Sequence, residues 1–172
     1  MKKENDCVRL FFIVLIYRLV VLSVLVLASK QPLTGLAQWF DGAAYMRIAE
    51  SFPLPYHEPS MIADTKTYPL FPLMIFLFNL VLRNIVLSSY LVVTLASTLA
   101  VVVFYKIASK FSDHAFSLAI LFSCFSPNWV HCSTFLYAEP IFMLFLLLAV
   151  WFFLEEKFLK TRGVPKNAAL EQ

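Results

Sequence analysis

Charge is scarce in this chain, with 15% of its residues Asp, Glu, Lys or Arg where a soluble domain carries roughly 25%. That deficit, beside a 60% hydrophobic content, excludes water as the main solvent. Cysteine is scarce too. Cys7, Cys124 and Cys132 show no CxxC spacing, which excludes a disulfide framework and a zinc site. His57-Glu58, His114 and His131 have no partner at metal-ligand spacing, so they read as solvated or interfacial side chains, and no metal or cofactor is expected. The chain also lacks internal repeats and low-complexity stretches. The few charges sum to +3 and gather outside the apolar runs, in Lys2, Lys3 and Arg9, in Lys106 and Lys110, and in Lys157, Lys160, Arg162 and Lys166. Such a distribution sets orientation in a bilayer and is no nucleic-acid surface.

What the chain has in abundance is apolar runs of about 20 residues, the length that crosses a bilayer. The first covers residues 10–28. It is too long for a typical signal peptide core and carries Arg18 at its middle, so it reads as an uncleaved anchor. Residues 29–67 then form a long, Pro-rich loop, large enough to hold a site. Within the loop, Phe40, Ala44, Ile48 and Phe52 recur at helical spacing up to Pro53, predicting a short helix that lies on the membrane surface with this stripe down. Further apolar segments follow at 68–82, 85–105, 115–135 and 138–154, ahead of a charged tail at 155–172. Segment 68–82 is short for a perpendicular span and opens with Pro69 and Pro72. Treating it as re-entrant leaves four crossings. The N-terminus, Lys106, Lys110 and the tail then share the cytoplasmic side, and the long loop and Glu139 share the other. The expected fold is all-α, a polytopic transmembrane helix bundle forming a single membrane-embedded module.

Three groups of residues stand out chemically. Arg18 is costly, since a cation at the midplane of a span disfavours insertion by about 2.5–3.5 kcal/mol on translocon scales. It calls for a carboxylate or a lipid phosphate as partner, unless its long side chain snorkels to the interface. Asp41 and Tyr45 are four residues apart, which on a helix sets a carboxylate beside a phenol. Asp41 fits a general base for glycosyl transfer, but from spacing alone an N-cap of the short helix is the better reading. Tyr137-Ala138-Glu139-Pro140 opens the last apolar run, as an ordinary helix start would. In the four-crossing topology it brings a second acid to the face of Asp41. A small transporter is disfavoured because only Arg18 is a charge well inside a span.

The order of these features resembles the GPI mannosyltransferase 2 (PIG-V-like) family of the GT-C superfamily. The resemblance is carried by an Arg-bearing first span, by Trp39-x-Asp41-Gly42-x-x-Tyr45-x-x-Ile48-Ala49, by Tyr68-Pro69-Leu70-Phe71-Pro72, and by Ser126-Pro127 followed by Tyr137-Ala138-Glu139 and Phe142. Phe40 stands between Trp39 and Asp41, where the family pattern has no residue. The resemblance implies a GT-C-like helix bundle with its catalytic loop outside the cytoplasm, and inversion at the anomeric carbon. Its implied partners are a polyprenyl- or dolichyl-phosphate sugar donor, a glycan or glycolipid acceptor and the lipid bilayer. It places the catalytic carboxylate on Asp41, with Arg18, Tyr45, Tyr137 and Glu139 as substrate-binding residues. The membrane is then a prokaryotic plasma membrane, or the endoplasmic reticulum in a eukaryote, with the active face extracytoplasmic or lumenal. Superfamily members have many more spans, so the resemblance implies an N-terminal portion, a reduced relative, or a bundle completed by a partner subunit. The alternative reading is a non-catalytic scaffold that keeps the front half of the fold.

Overall fold

The computed structural model describes residues 2–52 and 69–161. The remainder of the long loop, with Tyr56, His57, Glu58 and Tyr68, and the tail beyond 161 lie outside the described residues. Among those described, every regular element is a helix. The order is α1 (Lys2–Ser29), α2 (Leu33–Leu36), α3 (Gly42–Ser51), α4 (Leu70–Leu82), α5 (Ile85–Ala108), α6 (Ala115–Phe125), α7 (Pro127–Thr134) and α8 (Glu139–Thr161).

Helix α1 contains neither Gly nor Pro and is rich in Leu, Val and Ile beyond its charged first turns. It stops where Lys30 takes a left-handed φ of 56° and Pro32 follows, the usual sequence of a helix stop. Helix α4 tolerates Pro72 because the first-turn amides have no helical acceptor to lose. It ends at Arg83, again left-handed at φ 50°. The next residue, Asn84, starts α5, its Oδ1 accepting from the Leu87 amide at 3.0 Å. Such a cap contributes about 1 kcal/mol. The two-residue turn folds α4 back against the first half of α5. With 13 residues α4 extends about 20 Å, well short of the roughly 30 Å hydrocarbon core.

Among the described residues, two helices are long and apolar enough to cross a membrane, Asn5–Ser29 within α1 and all of α5, or three if the bent pair α6 and α7 is one span. This is a membrane protein's composition of elements, and the exposed surface agrees. Phe12, Ile16, Val20, Val24 and Leu27 on α1, and Phe142, Phe145, Phe152 and Phe153 on α8, all point outward. In water that surface would be a large penalty, whereas against lipid tails it costs nothing.

Helix α5 is the hub. Its first half joins Tyr45 and Met46 of α3, Phe71 and Ile75 of α4, and Leu136, Ala138 and Ile141 at the start of α8 in one core. Its second half joins Leu10 and Val14 of α1, Ala115 and Ala119 of α6, and Trp129 of α7 in another. Small residues let these helices approach closely, as in other membrane bundles. Ser88, Ser89 and Ser97 turn their hydroxyls back to α5's own carbonyls at 2.7–3.1 Å, so no polar atom of theirs faces the core alone.

The charged ends gather together. Lys110 Nζ meets Glu155 Oε1 at 2.6 Å, Lys106 Nζ sits 4.8 Å from the centre of the Trp151 ring, and Tyr105 donates to Asp6 at 3.4 Å. The start of α1, the end of α5 and the later turns of α8 therefore share one end of the bundle. Glu139, at the first position of α8, lies about 24 Å along the helix axis from Glu155 at 1.5 Å per residue.

Candidate active site

The segment before α3 is a chain of tight turns. Gly35 and Leu36 amides bond to the Pro32 carbonyl, Trp39 to Leu36, and Gly42 to Trp39. This winding forces Phe40 into the left-handed region at φ 54°, an unusual conformation for a bulky residue and one that concentrates at functional sites. Helix α3 begins only after Asp41. A Cβ on Gly42 would overlap the Ala37 carbonyl oxygen and come within 3.1 Å of Leu136 Cβ. The glycine thus lets the start of α3 close against the 135–138 connection between α7 and α8. That connection is itself tight, with Phe135 bonded to the His131 carbonyl and Tyr137 to the Phe135 carbonyl.

Where the two segments meet, their rings form one cluster. The Trp39 and Phe135 rings stack at 5.9 Å. Phe40 lies 5.3 Å from His131, 5.1 Å from Phe135 and 5.5 Å from Tyr137. His131 also reaches Phe135 at 4.9 Å and Tyr137 at 5.3 Å. Two exposed carboxylates border the cluster, Asp41 next to Phe40 and Glu139 two residues beyond Tyr137. Burial pushes the Tyr137 phenol above its ordinary value, and the negative charges of Asp41, Cys132 and Glu139 add to the shift. The segment of Asp41 and that of Glu139, far apart in sequence, thus meet at the Phe40 and Tyr137 rings.

Asp41, Tyr137 and Glu139 lie around the ring cluster, whereas Arg18 lies at the break between α6 and α7. Asp41 occupies the N-cap position of α3, but its side chain makes no capping hydrogen bond. Its carbonyl accepts the Tyr45 amide at 3.1 Å, so the two residues are one helical turn apart. Tyr45 is only 6% exposed and packs edge-on against Phe71 at 4.8 Å. The face that α3 buries is Gly42, Tyr45, Met46 and Ala49, turned to α4 and α5. The stripe expected on the membrane surface lies apart from this face, with Ala44, Ile48 and Phe52 half-buried and Phe40 exposed.

Arg18 is 3% exposed and, among the described residues, bonds neither a carboxylate nor the cluster. Its Nη2 donates to the Ser123 carbonyl at 3.1 Å and to Ser123 Oγ at 3.3 Å. The reason lies in the bend of 65° between α6 and α7. In an unbroken helix the Ser123 carbonyl would take the amide of residue 127, and Pro127 has none. Arg18 supplies the missing donor, and Tyr17 Oη does the same for the neighbouring Cys124 carbonyl at 3.1 Å. A cation at a helix C-terminus also meets the negative end of the helix dipole. Arg18 Nε and Nη1 are buried and have no hydrogen-bond partner among the described residues.

Sequence reasoning missed Phe40, His131 and Phe135 as members of the site. The 131, 135, 137 spacing carried the only signal, and it is indistinguishable from an interfacial aromatic belt. Among the described residues no group of three or more His, Cys, Asp or Glu is placed to hold a metal ion. No protein-family model, curated protein or solved structure matches the chain.

Proposed function

We propose that the chain is a module of a membrane glycosyltransferase, a mannosyltransferase that takes its sugar from a polyprenyl- or dolichyl-phosphate donor and passes it to a glycan or glycolipid acceptor. The observation that carries this reading is the convergence of Asp41 and Glu139 on Tyr137 inside an aromatic cluster at the start of a long apolar helix. Carboxylates, a phenol and ring faces beside a lipid-facing surface are suited to a substrate that is part sugar and part lipid.

In this reading Asp41 is the catalytic base. It accepts the acceptor hydroxyl's proton while that oxygen bonds the anomeric carbon, and the lipid phosphate departs with the electron pair of the broken bond. Its exposure, and the absence of a capping bond that would occupy it, support the role. Glu139 and Tyr137 orient the acceptor. Arg18 acts at a distance, by holding the broken α6–α7 pair against α1.

The test is transfer from a polyprenyl-phosphate mannose by wild type and Asp41→Asn in lipid nanodiscs. Asn caps helices as well as Asp does but cannot take the proton, so the variant is expected to lose roughly 10²–10⁴-fold in rate. Equal turnover by the two proteins would remove Asp41 from the chemistry, and no turnover by wild type would favour the non-catalytic scaffold.

A further inference from the structure

We propose that the rings of Trp39, Phe40 and Tyr137 form a stacking platform for a neutral hexopyranose, the acceptor sugar, whose hydroxyls donate to Asp41 and Glu139. The choice of a sugar rests on the glycosyltransferase reading above, whereas the platform stands on geometry. Trp39 is 40% and Phe40 57% exposed, so part of each ring is left uncovered by the cluster's own packing. Phe40 is held in place by a left-handed backbone that a smaller or more flexible residue would take at lower cost, as strained residues at binding sites are.

The chemistry of the border narrows what it meets. Ionised Asp41 and Glu139 are acceptors only, so the ligand must bring donors. Neither Lys nor Arg is among the clustered residues Trp39, Phe40, Asp41, His131, Tyr137 and Glu139, and two carboxylates repel a phosphate. These residues therefore do not themselves bind the phosphate of a lipid-linked donor. A quaternary ammonium needs rings set around a hole. Here the rings close on one another at 4.9–5.9 Å and leave a surface. A neutral ring with one apolar C–H face and a rim of hydroxyls fits both the surface and its acidic border.

The proposal is tested by saturation-transfer NMR with methyl α-mannopyranoside and the protein in nanodiscs, for wild type, Phe40→Ala, Phe40→Tyr and Trp39→Leu. Wild type and Phe40→Tyr are expected to saturate the C–H protons of one face of the sugar. Phe40→Ala and Trp39→Leu should bind roughly 3- to 10-fold more weakly, the worth of an aromatic contact. Thermal midpoints of the variants serve as the folding control. Absence of sugar saturation in folded wild type, or equal saturation in all folded variants, overturns the platform. If transfer activity is present and the ring variants keep the acceptor KM, the platform fails while the enzyme reading holds. Ring-dependent sugar binding with no transfer sustains the platform and rejects the enzyme.

Discussion

Among single residues, Tyr137 reports most directly on the site. It stands in a short connection outside the spans, and its phenol is held above the ordinary value first by burial and then by Asp41, Cys132 and Glu139. The neutral phenol is the favoured form, so tyrosinate at this position is expected to appear only above the usual pH of about 10. Asp41→Asn and Glu139→Gln each remove a negative charge and should shift its titration back toward that value, though not fully, because burial remains. The stability that the neutral phenol contributes is present below about pH 10 and is lost as pH rises through its raised value. Difference absorbance against Tyr137→Phe measures this. If neither substitution moves the titration, the two acids are not close neighbours of the phenol. Asp41, Tyr137 and Glu139 could be singled out in the sequence as polar side chains at the edges of apolar runs. The part of Phe40 could not, because a loop residue gives no sign of which way its ring will turn.

At the level of elements, α1 and α5 were readable from uninterrupted apolar length, and the break in the third span from Ser126-Pro127. The orientation of α3 was not readable. A short helix at a membrane boundary carries apolar residues on both sides, and only packing against α4 and α5 decides which side is buried. The partner of Arg18 was equally hidden, since a backbone carbonyl leaves no mark in a residue pattern. That partnership makes a specific expectation. Arg18→Leu should let isolated α1 insert more readily, as a central charge is disfavoured. In the folded protein it should expose an unsatisfied Ser123 carbonyl, a loss of about 1–3 kcal/mol. Pro127→Ala returns an amide to position 127. In a double-mutant cycle by thermal unfolding in detergent, Arg18→Leu should therefore cost less in the Pro127→Ala background, with a coupling of about 1 kcal/mol. Strict additivity would show that Arg18 does not serve the break.

For the whole molecule, the contacts among Asp6, Tyr105, Lys106, Lys110, Trp151 and Glu155 collect one end of the bundle, and Lys and Arg favour the cytoplasmic side. The cluster of Asp41 and Glu139 is then expected to face away from the cytoplasm. Single cysteines placed at positions 38 and 108, in a background without Cys7, Cys124 and Cys132, should react with an impermeant reagent from opposite sides of the membrane. Labelling of both positions from the same side would require α4 to cross as a full span. The sequence conveyed the all-helical, membrane-embedded character because composition alone forces it. How the helices share a hub could not be read, because α5's two halves look alike in hydropathy and differ only in what they touch.

The bond between Arg18 and Ser123 has a further consequence for how the protein is made. The two residues are 105 positions apart. At a synthesis rate of about 5–20 residues per second, α1 leaves the ribosome roughly 5–20 s before the carbonyl that its guanidinium serves. Through that interval the first span carries a cation with no partner of its own in the bilayer. It has to wait with the side chain stretched to the lipid headgroups or remain beside the insertion machinery. Only when the bent helix pair arrives can the cation sink to its final depth, so nascent chains halted before residue 123 are the ones that membrane quality control would find most exposed.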